Sequence, residues 1–403
     1  QFYYTKVDHW MDNRYRVSSG TMPWSMATDA KTKTFGGRLE GNLGDFTLGF
    51  EAYRRNWDAT NYMGMNPPQY IIPDVDTSSF GVYGEYRKRL LEKLRIVAGL
   101  RLDTTKTEAD SSKANTNLYY AYKNTRATSK TDTYPSGNLQ VFYELSKGTE
   151  LFAGIGHTAR VPDPQERYFA LNRAMMCNNN NPFCAWVGNP NLKPSKNTEI
   201  DLGLKHSTGR LITKATLFYS YVQDYITVHR QNVQNPGMMA PAFGHARSYT
   251  NVDAQFYGFE ASFNYNAYKN LFVFGGSSYT VGRKDTDPAK NITDKDVAEI
   301  PPLKARLGLR YDTGLWFVEG ETLMSGTQDR VDRDLQEQKT SGWAIVNLKA
   351  GAEWKDLRLV VGVDNVFDKK YYEHLSYQRD PFRSGVKVPE PGRNFYASLS
   401  YQF

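Results

Sequence analysis

Asn394-Phe-Tyr-Ala-Ser-Leu-Ser-Tyr-Gln-Phe403 puts Phe395, Ala397, Leu399, Tyr401 and Phe403 on one side of an extended chain. Asn394, Tyr396, Ser398, Ser400 and Gln402 fall on the other. A strict period of two marks a strand whose faces meet different environments. About ten residues is the length a tilted strand needs to cross a bilayer. The pattern recurs upstream. Leu357, Leu359, Val361 and Val363 alternate with Arg358, Val360, Gly362 and Asp364, and Leu211 to Val222 alternates in the same way. The spacing predicts about sixteen strands, beginning near residues 2, 32, 44, 77, 93, 131, 149, 195, 209, 246, 270, 298, 314, 341, 356 and 392.

The connections alternate in length. Short turns are expected at Gly44-Asp45, Glu92-Lys93, Lys147-Gly148, Thr208-Gly209, Lys269-Asn270, Thr313-Gly314 and Lys355-Asp356. Long loops are expected at 13–31, 58–76, 110–130, 161–193, 231–247, 285–297, 331–341 and 370–391. A soluble sandwich has no reason to gather every long loop at one end, whereas an outer-membrane barrel does. Such a sheet must close on itself, because unpaired backbone groups cannot face hydrocarbon. The expected fold is therefore an all-β transmembrane antiparallel barrel, a single domain over 1–403. Trp10, Tyr143, Tyr219, Trp316 and Trp354 are candidates for the membrane interfaces.

Composition agrees. The 403 residues carry 28 Tyr, 21 Phe and 7 Trp, yet mean hydropathy is −0.62. An apolar outer face over a polar lumen produces that combination. The aromatic content and mixed charges exclude a disordered chain. No run of about 18 apolar residues suggests a membrane helix, and two cysteines are too few for a disulfide scaffold. Lys and Arg are dispersed without a basic run, so the net charge of +7 gives no nucleic-acid signature. That excess suits anionic lipopolysaccharide or an anionic siderophore at the barrel mouth, and a cationic mouth does not attract a cation. No phosphate loop, dinucleotide fingerprint or nucleophile elbow is present, so neither catalysis nor an organic cofactor is expected.

Asn365-Val-Phe-Asp-Lys-Lys-Tyr371, Gly392-Arg393 and the terminal Phe403 resemble the end of a TonB-dependent outer-membrane receptor. Pro190-Asn-Leu-Lys-Pro194 with Asn197-Thr-Glu-Ile-Asp-Leu-Gly203, Ala159-Arg-Val-Pro-Asp-Pro-Gln-Glu-Arg-Tyr168, Phe218 to Ile226 and Gly258-Phe-Glu260 resemble that family's mid-barrel motifs, in the expected order. The resemblance implies a barrel of roughly 22 strands around a plug. It also implies coupling to the TonB complex through an N-terminal plug. Since about sixteen strands are legible, the chain is expected to be the C-terminal part of such a barrel, without plug, starting some six strands in. An even count of sixteen also suits a passive porin, and a ferric-siderophore receptor is the alternative inside the family.

Within that family the chain most resembles the TonB-dependent copper receptors, which are described as holding copper between a Cys-x-x-x-Met motif on the plug and a His-x-Met motif on the barrel wall. His9-Trp10-Met11 matches the wall motif; neither Cys177 nor Cys184 is followed by Met at the fourth position. On a strand, His9 and Met11 share one face and Trp10 takes the other. Imidazole with thioether suits Cu(I). Eight of the ten methionines fall in expected outer loops, as Met22, Met26, Met63, Met65, Met175, Met176, Met238 and Met239. They are read as weak copper-capture sites or as packing between large loops. Cys177 and Cys184, in the longest loop, are expected to form a disulfide in an oxidising compartment.

Overall fold

Alternating side chains make each segment a two-faced ribbon, and tight turns force neighbouring ribbons to run antiparallel. The computed structural model of the chain describes residues 1–402 except 15–24, 65, 176, 179–181, 238–239 and 381–382. Its strands are β1 (Phe2–Asp12), β2 (Met26–Leu43), β3 (Phe46–Met63), β4 (Gln69–Leu91), β5 (Leu94–Ala109), β6 (Ser129–Ser146), β7 (Thr149–Arg160), β8 (Ala170–Asn172), β9 (Phe183–Val187), β10 (Ser195–Ser207), β11 (Leu211–Asn232), β12 (His245–Tyr268), β13 (Leu271–Lys284), β14 (Lys304–Asp312), β15 (Trp316–Ser325), β16 (Trp343–Trp354), β17 (Leu357–Asp364), β18 (Tyr377–Asp380), β19 (Arg383–Lys387) and β20 (Asn394–Tyr401). Two helices, α1 (Thr116–Lys123) and α2 (Pro164–Tyr168), lie in loops. No helix of the described residues is long and apolar enough to cross a membrane.

Apart from the loop strands β8, β9, β18 and β19, each strand pairs antiparallel with its neighbours in chain order: β1 through β7, then β10 through β17, then β20. These form a sixteen-strand wall, in agreement with the spacing of the sequence. Among the described residues no ladder joins β1 to β20. In hydrocarbon each of those edges needs a hydrogen-bonding partner. Gly44, Gly148 and Gly314 adopt positive φ at three of the short turns. At Gly148 a Cβ would also stand 2.3 Å from the Ser207 carbonyl oxygen, so glycine is required twice over.

Register carries one face across the wall. Leu39, Phe50, Val82 and Leu102 form a cross-strand row, and all are exposed. Leu139, Ile155, Ile200, Tyr219 and Tyr257 form a second. Rows of exposed apolar side chains are the lipid face of a barrel. On the opposite face charged groups pair across strands. Arg101 Nη1 is 3.2 Å from Glu51, and Glu319 bridges Arg310 at 3.0 Å and Lys349 at 2.9 Å. That polarity keeps mean hydropathy low without weakening membrane contact. Trp316 and Trp354 sit beside short turns, exposed, where an amphipathic ring suits the interface.

Several boundaries differ from expectation; β2, for one, begins at Met26 instead of near 32. The expected loop 58–76 shrinks to 64–68, because β3 and β4 continue past the apolar band. Alternation persists there, with Trp57 and Ala59 facing inward against Val75 and Ile72, so the chain stays extended although its outer residues have become polar. β14 starts at Lys304 instead of near 298, since Pro301-Pro302 supply no ladder donors.

The described parts of loops 110–128 and 161–194 fold inward over the lumenal face. α1 is capped by Asn115, whose side chain accepts from Leu118 N–H, and it buries Leu118, Tyr119 and Tyr122. α2 carries a capping box between Asp163 and Glu166. β9 pairs in parallel with the start of β12, fixing the longest loop to the wall. Together with Ile72, Val75, Tyr168, Phe169 and Val187 these elements form one apolar cluster. Because Ala59, Ile72 and Val75 carry the lumenal parity, this cluster caps the mouth from inside.

Candidate metal centre

The inward parity of β1 follows from its ladder. Tyr3 pairs with Gly36 and Gly36 with Tyr53, neighbour of lumenal Glu51 at the same parity. Counting by two from Tyr3 brings His9 and Met11 to the lumenal face. Trp10 turns outward, where its indole N–H donates to Asp12 at 2.8 Å and its ring lies 5.9 Å from that of Tyr62. His9 pairs with Ala30, which pairs with Ala59; Met11 pairs with Thr28, which pairs with Asn61. At this height the outer face carries Asp29 and Lys31, joined by a 3.0 Å ion pair. Ala59 is nine positions along β3 from lipid-facing Phe50, roughly 30 Å of strand. The His-x-Met pair therefore stands above the hydrocarbon band, on the inner wall of the mouth, with both side chains exposed.

One row further out, Met26 and Met63 are direct register partners. They share the parity of His9 and Met11, so four soft side chains occupy one corner of the lumenal wall. Met63 was expected as a loop residue and is instead the last residue of β3, buried at 8% exposure in the apolar cluster with Met26 packed against it. Met26 likewise opens β2. Buried Asn61 shares the cross-strand row of Met11, two positions before Met63 on β3. Its amide donates to Ala27 O and Thr28 Oγ1, both at 3.1 Å, and its Oδ1 has no hydrogen-bond partner among the described residues.

No group of three or more His, Cys, Asp or Glu side chains converges to hold a metal among the described residues. The wall thus offers soft sulfur and imidazole donors and no hard carboxylate cage. That donor set fits a monovalent soft ion and does not fit Zn²⁺, Ca²⁺ or Mg²⁺.

Met175 stands in the longest loop, 95% exposed. Met22, Met65, Met176, Met238 and Met239 lie outside the described residues. Cys177 and Cys184 are joined in a disulfide with Cα atoms 5.1 Å apart. Cys184 is fully buried and its carbonyl accepts from Arg173 N–H at 2.7 Å, so the bridge ties the loop tip to β9. Buried Arg167 anchors the same loop to β6 through Asp132, 2.6 Å away, and donates a second hydrogen bond to the Leu192 carbonyl at 3.1 Å.

Residues 1–366 match the family model described as TonB dependent receptor-like, beta-barrel. Among curated proteins, the chain is 22% identical over its whole length to the heme transporter BhuA of Brucella abortus, covering 55% of that protein. It is 25% identical to the heme/hemopexin utilization protein C of Haemophilus influenzae over 70% of this chain and 40% of that protein. The ferric enterobactin receptor of Pseudomonas aeruginosa is 25% identical over 66% of the chain and 38% of its own length. The chain therefore spans about half the length of the curated relatives it matches. Among solved structures, the copper transporter OprC superposes with a TM-score of 0.79 at 29% identity, covering all of this chain and 62% of that one. The FrpB iron transporter of Neisseria meningitidis gives 0.69 at 14% identity, a likeness of fold.

Proposed function

The chain belongs to the TonB-dependent receptor-like β-barrel family, a family of outer-membrane transporter receptors, and from that premise we propose that its 403 residues form part of the barrel domain of a receptor for copper, captured as Cu(I). The observation that carries this reading is the lumenal corner of His9, Met11, Met26 and Met63 above the apolar band. Imidazole and thioethers prefer soft Cu(I) to the hard ferric ion. Two β1 donors leave a coordination sphere that a plug would complete, and force through the TonB complex on that plug would release the ion inward. The exposed apolar rows seat the wall against outer-membrane lipid and lipopolysaccharide. Loop methionines, the exposed Met175 among them, serve as weak collectors.

The rival within the family is iron held by an organic chelator. It takes its support from the heme and ferric enterobactin relatives and from lumenal cation–aromatic pairs such as Arg101 over Tyr83, at 5.3 Å. Equilibrium binding of Cu(I), heme and ferric enterobactin to the full-length protein separates the readings. The copper reading expects Cu(I) to bind at least a hundredfold more tightly than the two iron ligands. Saturable heme or enterobactin binding with no Cu(I) retention would replace it.

A further inference from the structure

A cavity of about 330 Å³ opens between the end of α1, the tops of β11 and β12, and the turn at Pro288–Lys290. Lys123, Arg230 and Lys290 contribute three cationic side chains from three separate elements, and no Asp or Glu lines the cavity among the described residues. Lys123 reaches the cavity only partly exposed. Its ammonium donates to Gln231 Oε1 at 2.8 Å, to His229 Nε2 at 3.0 Å and to the Tyr249 carbonyl at 3.1 Å. All three acceptors are neutral. His229 Nδ1 donates to the Lys290 carbonyl at 2.8 Å, which leaves Nε2 as the acceptor and the ring uncharged. Asp287 pairs with Lys290 at 2.9 Å and offsets one of the three charges. Those of Lys123 and Arg230 remain, and Asn191 and Asn232 also line the cavity.

A partly buried ammonium with neutral partners is costly unless an anion approaches it. We propose that this cavity binds a phosphate-type dianion, as inorganic phosphate or as a phosphate monoester of lipopolysaccharide. An anion entering the cavity favours the charged form of Lys123, so that Lys123 and Arg230 together match a dianion, and the asparagines that line the cavity suit its tetrahedral oxygens. The cavity is built from loop-side elements, the side of the membrane that carries lipopolysaccharide. It is separate from the methionine corner and stands whether or not that corner binds copper.

The test is calorimetric titration of the full-length protein with sodium phosphate, then with phosphorylated and chemically dephosphorylated lipopolysaccharide. Lys123→Met and Arg230→Met are compared with wild type and with Lys355→Met at a short turn on the opposite side. Arg230 is exposed, so its variant folds even if Lys123→Met does not. Saturable phosphate binding that weakens at least tenfold in Arg230→Met and is unchanged in Lys355→Met supports the site. Tighter binding of phosphorylated than dephosphorylated lipopolysaccharide, with the same variant dependence, supports it and identifies the lipid as the source. Absence of saturable binding of both probes, or equal binding in wild type and Arg230→Met, overturns it.

Discussion

Met26 at the start of β2 stands directly opposite Met63 at the end of β3, on the face that also carries His9 and Met11. The pair has two roles that substitution separates. Both side chains pack into the apolar cap, and both present thioethers. Leucine conserves volume and removes sulfur, at a cost below about 1.5 kcal/mol. Met26→Leu/Met63→Leu should therefore leave thermal unfolding nearly unchanged and lower Cu(I) retention at the mouth. Met63→Ala should instead destabilise the cap by about 2–5 kcal/mol. Thermal melts paired with Cu(I) titration check both.

Arg167 and Asp132 are a buried ion pair, at 0% and 7% side-chain exposure. Removing one partner strands the other charge. Asp132→Ala should cost about 3–5 kcal/mol and loosen the longest loop, while Asp132→Leu/Arg167→Met should recover much of that loss. Limited proteolysis within 161–194 reads the loosening directly.

Lys123 is pushed down to about 7, chiefly by burial and secondarily by the Lys290 charge. Facing it are neutral His229, Gln231, the Tyr249 carbonyl and Lys290 with its Asp287 partner. Below that value folded and unfolded chains are both protonated there, and folding bears the burial cost. Between about 7 and the ordinary lysine value near 10.5 the unfolded chain binds a proton the folded one lacks, so stability rises with pH across that window. Unfolding at pH 7 and pH 9.5 should show the rise, and Lys123→Met should flatten it.

The Cys177–Cys184 bridge closes a small loop, constraining its opening by roughly 2 kcal/mol. Thiol titration of protein isolated without reductant should find no free thiols. Cys177→Ser/Cys184→Ser should be cleaved faster near residue 178 with little change in barrel melting.

Much of the wall is legible in the sequence, because alternation and short turns are local signals. β7, β10 and β20 begin within two residues of the expected positions. The cap is less legible. Asn115 before Leu118, Tyr119 and Tyr122 is a readable helix start, as is the Asp163–Glu166 spacing. Their burial depends on loops far apart in the chain. The pairing of Met26 with Met63 depends on how far β2 and β3 outrun the membrane, and hairpin register sets that. Lys123 looks like an ordinary surface lysine until α1 places it against β11 and β12.

The central claim is that the lumenal corner led by His9 and Met11 holds Cu(I). Its most direct test is Cu(I) titration of the full-length protein beside His9→Ala, Met11→Ala and the outward-facing Trp10→Phe. The account predicts at least a tenfold loss of affinity, about 1.4 kcal/mol, in each of the first two and no change in the third. Identical titration curves for wild type, His9→Ala and Met11→Ala would contradict it.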